Sequence, residues 1–71
     1  MNNDLAMTLS PRQREIARLV AKGASNKEIA HHLGISDKTV KNTLTRVFVK
    51  TSTLSRTQLA VLLVRSEYVL S

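Results

Sequence analysis

Residues 25–41 read SNKEIAHHLGISDKTVK, and this stretch predicts two short helices joined by a tight turn. Ser25 and Glu28 have the spacing of a capping box, in which each side chain bonds the other residue's backbone amide at a helix start. Gly34 can adopt the left-handed conformation that ends a helix without a Cβ penalty. Ser36 can then cap the second helix. The angle between the two helices is therefore expected to be fixed.

Apolar residues repeat with helical spacing on both sides of this turn. They are Ile29 and Leu33 in the first helix and Val40, Leu44 and Val47 in the second. A helix, a short turn containing Gly and a second helix form the helix-turn-helix pattern, whose second helix enters the DNA major groove.

Two further helix starts flank this pair. Ser10 with Gln13, and Ser55 with Gln58, repeat the capping-box spacing. No segment alternates long enough to predict a strand, so the fold class is expected to be all-α with four helices in one domain. We predict a flexible N-terminal arm over 1–8 and a domain over 9–71, with helices at about 11–22, 26–33, 37–50 and 56–68.

The charge is strongly basic and uneven. Eleven Lys and Arg residues against five acids give a net charge of +6, and the segment 38–66 holds no acid. Such domains bind polyanions because each neutralised phosphate releases counterions, although a solubilising surface is the alternative explanation. The chain has no cysteine and no apolar run long enough for a membrane span, so we expect a cytoplasmic protein.

Polar and basic side chains are expected opposite the apolar face of the third helix. Lysine can donate to guanine or phosphate, asparagine can pair with adenine, and threonine offers a hydroxyl and a methyl group. Val49, at the far end, is expected either to contact a thymine methyl or to pack on the following linker. The predicted DNA-binding residues lie on or just before this helix and at the starts of the second and fourth helices. They are Asn26, Lys27, Ser36, Lys38, Thr39, Lys41, Asn42, Thr45, Arg46, Lys50 and Arg56.

The fourth helix has two apolar faces. One face is expected to pack on the core; it consists of Leu59, Leu62, Leu63 and Leu70. The opposite face is predicted to form a homodimer, unless its members are isolated surface apolars; it consists of Val61, Val64 and Tyr68.

No constellation for catalysis is found. His31 and His32 are adjacent, so on a helix they point in different directions and cannot share a metal on one face. Glu28 is better explained by the capping box. We therefore predict no enzyme activity, no metal and no cofactor.

Several blocks of the sequence together resemble a known family. They are LSPRQREI at 9–16, GASNKEIA at 23–30, LGISDKTVKN at 33–42 and SRTQL at 55–59. In this order they resemble the LuxR-type (also called GerE- or NarL-type) helix-turn-helix domain of bacterial transcription regulators. The resemblance implies four helices, of which the third reads the major groove and the fourth commonly dimerises.

The resemblance also implies roles for single residues. Base contacts are implied for Lys41, Asn42 and Thr45, although the family usually has a longer, often basic side chain at the last of these. Backbone contacts are implied at positions near Asn26, Thr39 and Arg56.

The linker before the fourth helix departs from the family. Thr51 and Thr53 replace apolar residues, at about 1–3 kcal/mol each if their hydroxyls are buried. Leu54 is expected to restore one apolar contact, and the fourth helix is expected at a changed angle. The chain begins eight residues before the resemblance, so it is either a stand-alone regulator, which we favour, or a piece of a longer protein.

The leading hypothesis is a sequence-specific regulator that binds double-stranded DNA. The alternative hypothesis is an interaction module that binds another transcription regulator through the fourth helix, with little or no DNA binding.

Overall fold

The computed structural model describes the backbone of residues 9–70 and the side chains of residues 9–65. Four helices and no strand lie in this range, which confirms the all-α prediction. The predicted arm over 1–8 and the side chains of Tyr68 and Leu70 lie outside the described residues. The helices are α1 (Pro11–Ala21), α2 (Asn26–Leu33), α3 (Asp37–Thr51) and α4 (Arg56–Leu70).

Two of the three predicted capping boxes are formed in full. The Ser10 hydroxyl accepts from the Gln13 amide at 3.2 Å, and the Gln13 side chain accepts from the Ser10 amide at 3.0 Å. The Ser25 hydroxyl accepts from the Glu28 amide at 3.1 Å, and the Glu28 carboxylate accepts from the Ser25 amide at 2.8 Å. Each box satisfies two backbone donors that a helix start leaves without partners.

The third predicted box, before α4, is wrong in one of its two bonds. The Ser55 hydroxyl accepts from the Gln58 amide at 3.1 Å, as a cap should. The Gln58 side chain, however, accepts from the amide of Leu54 at 2.8 Å, one residue earlier than the box requires. Gln58 therefore holds the linker as well as the helix start.

A residue in the left-handed conformation ends each of two helices. One ends α2 at the glycine turn before α3, and the other ends α3 at the linker before α4. Gly34 ends α2 with φ +67°, as predicted, and half-buried Ile35 then packs against the core. Ser52 ends α3 with φ +55°, and the Thr53 amide donates to the Phe48 carbonyl at 3.0 Å. A non-glycine residue in this conformation is strained, so the end of α3 is set at a conformational cost.

One apolar core holds the four helices together. α4 packs mainly along α1, while α2 pairs with α3 and α1 also contacts α3. The core lies between the inner faces of these helices and includes Leu9, which lies two residues before the first residue of α1. Its buried members are Leu9, Ile16, Ala17, Val20, Ile29, Ala30, Val40, Leu44, Val47 and Leu59.

The linker does not carry the unsatisfied hydroxyls that the sequence suggested. Thr51 is buried, but its hydroxyl donates to the Val47 carbonyl at 2.7 Å and lies 2.9 Å from the hydroxyl of half-buried Thr53. A buried hydroxyl that keeps its hydrogen bonds avoids most of the desolvation cost. Leu54 is 88% exposed, so the expectation that it restores an apolar contact is wrong.

Candidate nucleic-acid interface

The core holds α3 in one rotational setting. Val40 and Val47 are completely buried and Leu44 nearly so, which directs the opposite side of the helix into solvent. Every polar and basic residue predicted on that side is exposed. These residues are Lys38, Lys41, Asn42, Thr45 and Arg46, and Val49 is exposed with them.

The exposed side of α3 is positively charged. Asp37 stands in the first turn, where a carboxylate interacts favourably with the helix dipole. No acid follows on α3, while Lys38, Lys41 and Arg46 contribute three positive charges. Asn42 adds an amide that can both donate and accept hydrogen bonds. The face thus combines attraction for phosphates with groups able to distinguish base edges.

Two hydroxyls predicted to bind DNA also build the start of α3. The Ser36 hydroxyl accepts from the Thr39 amide at 3.0 Å and lies 2.9 Å from the Thr39 hydroxyl. Only one hydrogen is used in the contact between the two hydroxyls, so the pair retains one donor for another partner. Both side chains are exposed.

Asn26 and Arg56 meet at the start of α2. The Arg56 guanidinium donates to the Asn26 side-chain oxygen and to the Ala24 carbonyl, both at 2.6 Å. Because its oxygen accepts from Arg56, the Asn26 amide group keeps its NH2 end for another partner. Exposed Lys27 follows directly, so the start of α2 carries two cations.

Lys50 is bonded to the start of α1. Its ammonium donates to the Gln13 side-chain oxygen at 3.0 Å, and the same oxygen accepts from the Ser10 amide. Gln13 is largely buried, and sequence reasoning assigned it only a capping role. The pair is 37 residues apart in sequence, so no local pattern could have revealed it.

The second apolar face of α4 is open to solvent in the part that the structure describes. Val61 is 44% exposed and Val64 47%, whereas Leu59 is completely buried and Leu63 packs against the core. The predicted third member of this face, Tyr68, lies beyond the described side chains. Half-exposed valines one turn apart form an apolar surface that a partner helix can cover.

His31 and His32 are both exposed near the end of α2. Within the described residues, no group of three or more His, Cys, Asp or Glu side chains could hold a metal ion. Among the same residues, no helix has the length and hydropathy that a membrane span requires.

The short α2, the glycine turn and the exposed face of α3 define a helix-turn-helix domain. Residues 7–63 match the profile of the family described as "Bacterial regulatory proteins, luxR family". The chain belongs to this family, as the resemblance predicted.

Curated relatives carry regulator names and are much longer than this chain. The "Two-component response regulator PprB" of Pseudomonas aeruginosa is 47% identical over 62 residues, covering 87% of this chain and 22% of that protein. The "Monoamine regulon transcriptional regulator" of Klebsiella aerogenes is 47% identical over 57 residues, covering 80% and 25%. The "Putative HTH-type transcriptional regulator YhjB" of Escherichia coli is 46% identical over 56 residues, covering 79% and 28%. The chain therefore spans less than a third of the length of these relatives.

Proposed function

We propose that this chain binds double-stranded DNA sequence-specifically and regulates transcription, with α3 in the major groove. The observation that carries the proposal is the exposed face of α3. This face is set by buried Val40 and Val47, and it combines cationic and base-reading side chains without an acid after Asp37. The family membership and the printed names of the relatives support the same function.

In this proposal different residues have different tasks. Lys41 and Asn42 contact base edges, because they are exposed in the middle of the outward-facing side of α3. Flanking groups contact phosphates and fix the orientation of the domain on the duplex. The flanking groups are Asn26, Lys27, Ser36, Lys38, Thr39, Arg46, Lys50 and Arg56. Five of these eight groups are cations. Neutralisation of about five phosphates by each copy would give a slope of roughly −4.5 for log K against log salt concentration.

We further propose that two copies pair through α4 around Val61 and Val64. A twofold dimer presents two α3 helices to two half-sites, which accounts for apolar side chains left in solvent on the helix farthest along the chain. The bound dimer would act in the cytoplasm on the bacterial nucleoid, and the binding itself requires no cofactor.

The test is selection of genomic fragments by the purified protein at about 150 mM salt with competitor DNA, a salt level at which nonspecific phosphate binding is weakened. Recovery of one shared motif, with two inverted half-sites, is the expected result. The double variant Lys41→Ala, Asn42→Ala should lose the motif while remaining folded. Lys22→Ala, which removes an exposed cation directly after α1, is the matched control and should retain the motif.

The exposed valines on α4 also favour a second candidate, an interaction module that binds another regulator. Under that function Val64→Asp alone abolishes binding to the other regulator, and the α3 double variant retains this binding. Recovery of no motif by the folded wild-type chain would contradict the proposed function and favour this candidate.

A further inference from the structure

Thr45 and Val49 lie one helical turn apart on the exposed face of α3. Residues four apart on a helix are neighbours on its surface. Val49 is 74% exposed, so it does not pack on the linker, which was one of the two expectations for it. Thr45 is exposed as well. A single exposed valine is ordinary, but this one continues the line of residues that faces the groove.

The hydroxyl of Thr45 is already used within the helix. It donates to the Lys41 carbonyl, with 3.1 Å between the two oxygens. Since a hydroxyl has one hydrogen, Thr45 cannot donate to a base without breaking this bond. Its γ-methyl group is not involved in that bond. The groups that Thr45 and Val49 both offer to a partner are therefore methyl groups, which are apolar.

We infer that Thr45 and Val49 form an apolar strip that reads the C5-methyl groups of thymines in the major groove. The inference rests on the proposed function, since it requires α3 to lie in that groove. The thymine methyl is the apolar group among the base edges exposed there, and side-chain methyls recognise it by contact. Lys41 and Asn42 would supply the hydrogen bonds, and the strip would select T·A pairs further along the helix.

The experiment uses the duplex that the wild-type chain selects from a random library. Each thymine is replaced in turn by deoxyuridine, which lacks only the methyl group, and the dissociation constant is measured. Two variants of Thr45 form a matched pair: Thr45→Val keeps the methyl and loses the hydroxyl, and Thr45→Ser does the reverse. Val49→Ala removes the second half of the strip. Because both positions are exposed, the thermal unfolding midpoints should stay unchanged.

Removal of one buried methyl should weaken wild-type binding roughly fourfold. We expect this loss at one or two thymines. On the unmodified duplex we expect the same loss for Thr45→Ser and at least that loss for Val49→Ala, which removes two methyl groups. Neither variant should lose more when deoxyuridine stands at the matching position. Thr45→Val should bind like wild type. If Thr45→Val binds as weakly as Thr45→Ser, or if deoxyuridine has no effect at any position, the apolar strip is contradicted while the proposed function stands. If no duplex is selected at all, the apolar strip and the proposed function are both contradicted.

Discussion

Arg56, the first residue of α4, donates a 2.6 Å hydrogen bond to the side-chain oxygen of Asn26, the first residue of α2. Its second terminal nitrogen donates to the carbonyl of Ala24, just before that helix. A guanidinium can make both bonds at once because its donors form a planar fork. The start of α4 is thereby tied to the start of the helix-turn-helix unit.

Arg56→Lys should weaken this connection without changing the charge. Lysine has no planar fork and cannot make both bonds, so we expect the free energy of unfolding to fall by about 0.5–1 kcal/mol, a small value because the site is exposed. Urea denaturation measures it. The control Arg65→Lys, an exposed arginine on the same helix, should change stability by less than about 0.5 kcal/mol. Equal losses in the two variants would show that the fork contributes nothing specific.

Leu59 and Val61 are two residues apart on α4 and should respond very differently to truncation. Leu59→Ala leaves a cavity in the core, and we expect a loss of about 2–5 kcal/mol, enough to unfold much of a domain this small. Val61→Ala should change the stability of the dilute, monomeric chain by less than about 0.5 kcal/mol. Thermal unfolding followed by circular dichroism compares them. A Leu59→Ala variant that melts like wild type would disprove the packing of α4 on the core.

Ser52→Gly should stabilise the protein. Relief of the left-handed conformation at φ +55° is worth about 1–2 kcal/mol, against an entropic cost of glycine of about 0.5–1 kcal/mol. We therefore expect a higher urea midpoint. Ser52→Ala is the control, because it removes the hydroxyl but keeps the strained conformation, and it should bring no gain. A gain in both variants would point to the hydroxyl instead.

Glu28 should make stability depend on pH. The hydrogen bond from the Ser25 amide, and then that with the Ser25 side chain, hold the pKa of the Glu28 carboxyl below its ordinary value. A lowered folded-state pKa means that the contribution is present above the unfolded-state pKa and is lost as pH falls through the folded-state pKa.

Glu28→Gln tests this dependence, since an amide oxygen can still accept from Ser25 but does not titrate. Urea midpoints measured from neutral to acidic pH should fall less for Glu28→Gln than for wild type. Glu15→Gln, which removes an exposed carboxylate from α1, controls for the change in net charge. Parallel curves for wild type and Glu28→Gln would contradict the assignment.

Local signals predicted the helices well and the linker poorly. The boxes at Ser10 and Ser25 formed because their partners lie three residues away on a regular helix start. At Ser55 the same spacing failed in part, because Gln58 reached the Leu54 amide of an irregular linker. The exposure of Leu54 and the bonded hydroxyl of Thr51 likewise depend on the path of that linker, which periodicity does not describe.

The sequence by itself determined four helix starts, the glycine turn and the side of α3 that is apolar, because each depends on residues within one turn of a helix. It also determined the family, through blocks of residues in the right order. Only the tertiary structure decided that Arg56 bonds Asn26 across 30 residues and that Lys50 bonds Gln13 across 37. It alone showed that Val49 stays in solvent instead of packing on the linker. Such contacts follow from how the helices pack and which rotamers that packing permits, and neither is encoded in the spacing of neighbouring residues.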